Sequence, residues 1–348
     1  MNSISINERL ISPEHPPYII AEMSANHNGD INRAKAIIDV AKKAGADAVK
    51  LQTYRADTIT LDSQLPEFVV DAEGVWKGKT LHELYEWAQM PWEWHSELFD
   101  YARKNKLTIF SSPFDYSAVD LLEDLNAPAY KIASFEAIDL PLIKYVAQTG
   151  KPMIISTGMA SIIEIQEAID VARDAGCKEL AILHCVSGYP APASDYNLRT
   201  LADMQQKFGV VSGLSDHTID NTTAITSVAL GACIIEKHVT LDRNGGGPDD
   251  SFSLEPQDLE ALCNGVKTAW KSLGSVDYGC QSSEVGNVKF RRSLYCVKDI
   301  KQGEIITHEH VKSIRPGYGL APKYLDILIG KPSPKDMKRG TALSTDWL

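Results

Sequence analysis

What most limits the fold of this chain is a recurrence: eight short apolar runs separated by segments of helical spacing. The runs are Tyr18–Met23, Ala48–Gln52, Thr108–Ser112, Ala129–Ala133, Met153–Ser156, Leu180–His184, Val210–Leu214 and Cys233–Lys237. Helix-like stretches lie between most of them: 31–45, 94–106, 118–125, 140–148, 162–175, 198–208 and 219–230; another, 256–273, follows the last run. Asp30 stands where the first helix needs an N-cap, and Gly45 where it needs a stop. Eight buried strands alternating with helices over about 260 residues predict an α/β fold, the (β/α)8 TIM barrel. One connection, Thr53 to Pro91, is too long for a plain loop. Its aromatic and acidic residues suit a cover over the barrel mouth.

A barrel of this kind presents its reactive groups at the strand tips. All eight runs end in polar or ionisable residues, among them Glu22, Gln52, Ser134, Ser156, His184, Ser215 and Glu236. Wet loops account for terminal serines. They do not account for a lysine inside Ala48-Val49-Lys50-Leu51 or Tyr130-Lys131-Ile132. Such a lysine either snorkels to water or points into a polar barrel mouth. Two of them favour an anion site, and phosphate is the usual barrel ligand. Ser134, Ser156, Thr157 and Gly158 offer hydroxyl and backbone N–H partners for it.

His217 and His238 each follow a short β-type run, with one helix's length between them. That makes a strand–helix–strand unit whose strands are parallel neighbours roughly 5 Å apart. Two imidazoles so placed can share one metal at bonds of about 2 Å. The plain alternative is two unrelated polar histidines near loops. Asp216, Glu236, Lys237 and the run Gly245-Gly246-Gly247-Pro248-Asp249-Asp250 weigh toward the metal.

A net charge of −11 argues against nucleic acid or an anionic membrane as a partner. The six cysteines show no C-x-x-C spacing, so a disulfide framework is not expected and a reducing cytoplasm fits. MNSISINERL has neither a basic flank nor an apolar core, so it does not read as a signal peptide. No run of about 18 apolar residues is present. After the barrel, residues 276–289 read as a polar linker, and 290–348 as a small, mostly β module; the barrel takes 1–275. A module this small gains by docking on another surface.

The motifs AEMSANHNGD, DAVKLQT, YKIAS, ISTGM, LHCVSGYP, GLSDHT, EKHVT and GGPDDSF, in this order, resemble the sialic acid synthase family. The end module resembles its antifreeze-like (SAF) domain. AEMSANHNGD and GGGPDDSFSLEP look most like the family's pseudaminic acid synthase branch. The resemblance implies a condensation of phosphoenolpyruvate with a 2-acetamido sugar in its open aldehyde form, dependent on Mn²⁺, Mg²⁺ or Co²⁺. For that branch the sugar is 2,4-diacetamido-2,4,6-trideoxy-L-altrose. The N-acetylneuraminic and legionaminic acid synthases, sharing the mechanism, are the alternative, and a non-catalytic carbohydrate-binding protein is a distant one. The resemblance also implies homodimers in which each end domain covers the partner's barrel. It assigns His217 and His238 to the metal. It assigns Lys50, Lys131, Ser134, Ser156 and Ser215 to phosphoenolpyruvate, and Glu22, Gln52, Tyr189 and Asp249 to the sugar side, Glu22 or Asp249 being the candidate base. Arg315 is the arginine offered to an N-acetyl group. Where sialic acid synthases carry asparagine in the HCxxxYP segment, this chain has Ser187-Gly188, which makes Ser187 the candidate contact there.

Overall fold

A computed structural model describes residues 3–71 and 76–348. The chain divides into two compact units, Met1–Gly274 and Ser275–Leu348. In the first, eight parallel strands close into a barrel, each pairing with the next and the last with the first. In chain order they are β1 (Tyr18–Glu22), β2 (Ala48–Thr53), β3 (Thr108–Pro113), β4 (Tyr130–Ile132), β5 (Met153–Ser156), β6 (Leu180–Cys185), β7 (Val211–Asp216) and β8 (Ile234–His238).

Strand alternation decides what enters the barrel. Tyr18, Ile20, Ala48, Phe110, Ala129, Ile154, Ala181, Leu183, Val211 and Ile234 form one buried cluster, the barrel interior. Ile19, Ala21, Val49, Leu51, Ile109, Tyr130, Ile132 and Ile155 belong to a second cluster, shared with the surrounding helices. The interior cluster also contains Ile4, Ile6 and Ile11. These come from an antiparallel hairpin, Ile4–Ile6 with Arg9–Ile11, that precedes the first barrel strand and that the strand pattern of the sequence does not include. Its alternating isoleucines are what make it a strand pair: they complete the apolar end of the barrel.

The helices follow their sequence signals. In α1 (Ile31–Ala44), Ala34, Ile37, Ile38 and Ala41 are buried at helical spacing. The Asp30 carboxylate accepts from Asn32 N at 2.8 Å, and Gly45 closes the helix in the left-handed region at φ 87°. The insertion between β2 and the next long helix carries a helix at Leu81–Ala88, capped by Thr80 and Glu83. Residues 72–75 of that insertion lie outside the described residues.

The second unit has one antiparallel pair, Ser293–Cys296 with Val311–Ile314, extended by isolated bridges such as Ile300 to Met337. Its core is small: Leu294, Cys296, Ile300, Ile306, Val311, Leu320, Leu328, Met337, Leu343 and Trp347. Residues 275–290 are exposed throughout and end in a 3-10 turn, Val285–Phe290. Among the described residues no helix is long and apolar enough to cross a membrane, and all six cysteines are free thiols.

Candidate active site

The apolar interior stops one layer below the strand tips. There the inward positions turn ionic, because Glu22, Lys50, Lys131 and Glu236 occupy the same strand faces as the apolar residues two positions earlier. Lys50 Nζ lies 2.6 Å from Glu22 Oε2 and 3.8 Å from Glu236 Oε1, and donates to Ser112 Oγ at 3.2 Å. Lys131 Nζ lies 3.7 Å from Glu236 Oε1 and donates to Ser156 Oγ at 2.6 Å. Ser215 Oγ donates to Glu236 at 3.2 Å. So the two lysines do not snorkel: each is at most 3% exposed, and both face Glu236.

In the sequence Glu236 counted as a polar strand tip and as charge near the histidines, not as a partner of the lysines. It stands between the lysines, and its sequence signal is its position two residues before His238 on one strand face. Burial pushes the Glu22 carboxyl up to about 7, with Lys50 pulling against it and the Glu236 charge adding to it. Burial would raise Glu236 as well, but the ammonium groups of Lys131 and Lys50 outweigh it and hold that carboxyl low.

Beside the lysines, three loops converge on bare backbone. Gly158 N–H donates to Ser134 Oγ at 3.2 Å. A Cβ at Gly158 would lie 2.3 Å from Ser187 Oγ and 2.8 Å from Ser134 Oγ. The Ser134 and Ser187 hydroxyls thus meet over Gly158, whose amide holds Ser134, and Ser156 accepts from Lys131, an arrangement of hydroxyls and charge suited to an oxyanion. Thr157 departs from the sequence expectation. Its hydroxyl and its amide both donate to Leu183 O, at 3.1 and 3.0 Å, so they serve the β5–β6 junction instead.

His217 and His238 come together with ring centres 5.3 Å apart and planes at 68°. His217 Nδ1 sits 2.8 Å from Val186 O, which fixes its proton there and leaves the Nε2 lone pair free. His238 Nδ1 is buried and has no hydrogen-bond partner among the described residues. Burial, with the charges of His217 and Lys50, keeps that imidazole neutral far below its usual range. Two imidazoles on one ion, at bonds of about 2.1 Å, put ring centres roughly 4.6–5.3 Å apart. The donors therefore fit a shared divalent ion. Among the described residues no group of three or more His, Cys, Asp or Glu gathers as a metal site, so an ion held by this pair would take its other ligands from water or substrate oxygen.

Asp216 and Lys237, which the sequence counted toward the metal, do not belong to this pair. Lys237 Nζ binds Asp216 Oδ2 at 2.9 Å and the carbonyls of Thr218 and Asp220 at 2.7 Å. They sit one position from Ser215 and Glu236 on β7 and β8, and alternation turns them to the opposite strand face.

The remaining groups line the mouth. The Tyr189 ring centre lies 4.4 Å from His217 and 5.3 Å from Phe252. Trp76, from the insertion, lies 6.1 Å from Tyr189, and its indole N–H donates to Pro248 O at 3.1 Å. The insertion thereby reaches across to the loop after β8. Gln52 Nε2 donates to Glu22 Oε1 and to Ser24 Oγ, both at 3.0 Å, and Ser24 Oγ donates to Asp249 Oδ2. Ser24 was missed in the sequence, where a serine in a loop carries no distinguishing mark. Asp250 anchors the same loop: it accepts from Arg33 at 3.1 Å and from Gly247 N and Asn28 at 2.8 Å. Arg315 is exposed at the end of the second strand of the other unit.

Residues 37–278 match the NeuB family, and residues 291–348 match the SAF domain. The chain is 42% identical over 332 residues to a pseudaminic acid synthase of Helicobacter pylori, covering 95% of this chain and 97% of that one. It is 37% identical to an N,N'-diacetyllegionaminic acid synthase of Campylobacter jejuni, covering 92% and 96%. Among solved structures, an N-acetylneuraminic acid synthetase from Leptospira borgpetersenii in complex with citrate superposes with a TM-score of 0.73 at 30% identity, covering 82% of this chain and 95% of that one. Barrel, site and end module therefore lead to one assignment: the chain is a member of the NeuB family of synthases, ending in an SAF domain.

Proposed function

We propose that this protein condenses phosphoenolpyruvate with 2,4-diacetamido-2,4,6-trideoxy-L-altrose, giving pseudaminic acid and phosphate with cleavage of the C–O bond. The observation that carries the chemistry is the placing of two buried lysines and a hydroxyl-lined cradle beside two facing imidazoles. The choice of sugar rests on the identity to the pseudaminic acid synthase of Helicobacter pylori.

Lys50 and Lys131 hold the carboxylate and phosphate of phosphoenolpyruvate where water is scarce and charge interactions are strong. The Ser134, Ser156 and Ser187 hydroxyls supply its hydrogen bonds, while the Gly158 amide holds Ser134 and Ser215 holds Glu236 between the lysines. Gln52, Tyr189 and Asp249 orient the sugar so that its C1 meets C3 of phosphoenolpyruvate. A divalent ion such as Mn²⁺, Mg²⁺ or Co²⁺, held by His217 and His238, supplies a Lewis acid for the aldehyde oxygen. After the carbon–carbon bond forms, water adds at C2 and phosphate departs with the bridging oxygen. Glu22, poised near 7, is matched to exchanging a proton at neutral pH, and Asp249 is the second carboxylate within the same network.

The same reading includes a homodimer in the cytoplasm, each SAF domain covering its partner's barrel and offering Arg315 to an N-acetyl group. Two observations support it. Phe135, Ile138, Met159 and Ile163, on the loops after β4 and β5 and the start of the helix that follows, are exposed apolar residues at the catalytic face. Residues 290–348 hold eleven Lys or Arg against six Asp or Glu, a charge of +5, so the rest of the chain carries −16. Opposite charge favours seating one on the other.

The test is phosphate release from phosphoenolpyruvate with a panel of sugars in Mn²⁺. Release with the altrose derivative is expected. Release only with manno-configured acetamido sugars moves the protein to the legionaminic or N-acetylneuraminic reaction. No release with any sugar would return it to carbohydrate binding without catalysis.

A further inference from the structure

Ser24, two residues past β1, has φ of 48°, in the left-handed region that non-glycine residues seldom adopt. Eight non-glycine residues share a positive φ among the described residues. Four are asparagines, which tolerate it, and Lys106 lies just past a helix end, where such a conformation closes the helix. Neither reason covers Ser24, which is 3% exposed. Backbone strain persists where the surroundings over-determine it. At Ser24 the surroundings are the sugar-side residues.

A serine hydroxyl has one proton, so the order of donors is set. Ser24 gives its proton to Asp249 and accepts from Gln52 Nε2 at 3.0 Å. The same Gln52 nitrogen donates to the Glu22 carboxylate at 3.0 Å, a contact that only the NH₂ end of the amide can make. Both protons of that amide are then engaged by the protein. The Gln52 carbonyl oxygen is left as the acceptor for a ligand.

We propose that Ser24 is a positioning residue that sets sugar specificity. Its hydroxyl ties the ends of β1 and β2 to the loop after β8, and so presents Gln52 and Asp249 as two fixed acceptors. Their match is a sugar whose stereochemistry turns a hydrogen-bond donor, hydroxyl or acetamido N–H, toward each of them. This rests on the sugar-side reading given above. Glycine would take the same backbone without strain and lose the tie, so the hydroxyl is what the strain retains.

The test compares Ser24→Gly, Ser24→Ala and wild type. Ser24→Gly should melt no lower than wild type, yet lose at least tenfold in kcat/KM for the altrose sugar. The KM for phosphoenolpyruvate should stay within twofold, and discrimination against manno-configured sugars should narrow. Ser24→Ala should show the same kinetic loss with a lower melting temperature than Ser24→Gly, since alanine keeps the strained backbone. If Ser24 acts through Asp249, Ser24→Gly should add nothing to the loss in Asp249→Asn. Unchanged sugar kinetics in Ser24→Gly, or fully additive losses, would overturn the proposal. A wild type inactive with every sugar removes the functional reading instead. Crystal structures of wild type and Ser24→Gly then decide: Asp249 and Gln52 turning away supports the tie, and both holding their places refutes it.

Discussion

Gly158→Ala separates the proposed phosphate cradle from the scaffold that carries it. The added Cβ would stand 2.3 Å from Ser187 Oγ and 2.8 Å from Ser134 Oγ. Both atoms are hydroxyl ends that can rotate, the next contact, Ser134 Cβ at 3.1 Å, has only to give by a few tenths of an ångström, and Gly158 does not occupy the left-handed region. The fold should therefore survive with a stability loss under about 1 kcal/mol. The methyl group, however, occupies the space where the hydroxyls converge. Displacing the phosphate by that width removes one or two charge-assisted hydrogen bonds, about 2–4 kcal/mol together. The KM for phosphoenolpyruvate should rise roughly 30- to 1000-fold. The KM for the sugar should move little. Phosphate release at varied concentrations of each substrate, beside a thermal melt, reads all three quantities. Gly213→Ala is the contrast. There the Cβ would stand 2.5 Å from the backbone oxygen of Ile234, an atom that cannot rotate away, so the barrel should fail to fold or melt far lower. A folded Gly158→Ala enzyme with wild-type KM for phosphoenolpyruvate would show that the anion binds elsewhere.

Other consequences follow from the same geometry. His217→Ala and His238→Ala should each abolish Mn²⁺-dependent turnover and weaken Mn²⁺ binding by at least tenfold in calorimetry; full binding in either removes the shared-ion assignment. Arg315→Ala should raise the KM for the sugar at least tenfold and leave that for phosphoenolpyruvate alone, and equal changes in both would remove its role. His27 and His95 are buried, and burial pulls both imidazoles down to about 4 from the ordinary 6.5. A depressed value favours the neutral form in the folded state. Their contribution is therefore fully present above pH 6.5 and is lost as pH falls toward 4, by about 3 kcal/mol each. Urea midpoints should drop over that window, and His95→Gln should flatten the drop; an equally steep variant would refute it.

The strands were legible because a barrel strand is buried on both faces, and a run of apolar residues of strand length records that directly. The helices were legible from spacing and caps, as at Asp30 and Gly45. Lys50 and Lys131 were legible because an ammonium in an apolar run demands a reason. The N-terminal hairpin was not, since three isoleucines in a polar segment acquire a purpose only when the open end of a barrel stands beside them.

By itself, then, the sequence determined which residues occur at strand tips and which motifs they spell, because chain order and alternation are local properties. Only the closed barrel decided which of them meet. Closure brings β8 against β1, so Glu236, from the last strand, falls between lysines of the second and fourth. It also turns Asp216 and Lys237 to the other strand face, where they satisfy each other, and leaves His217 and His238 facing across the mouth. Burial, a property of the whole assembly, sets the charge that each of those groups carries.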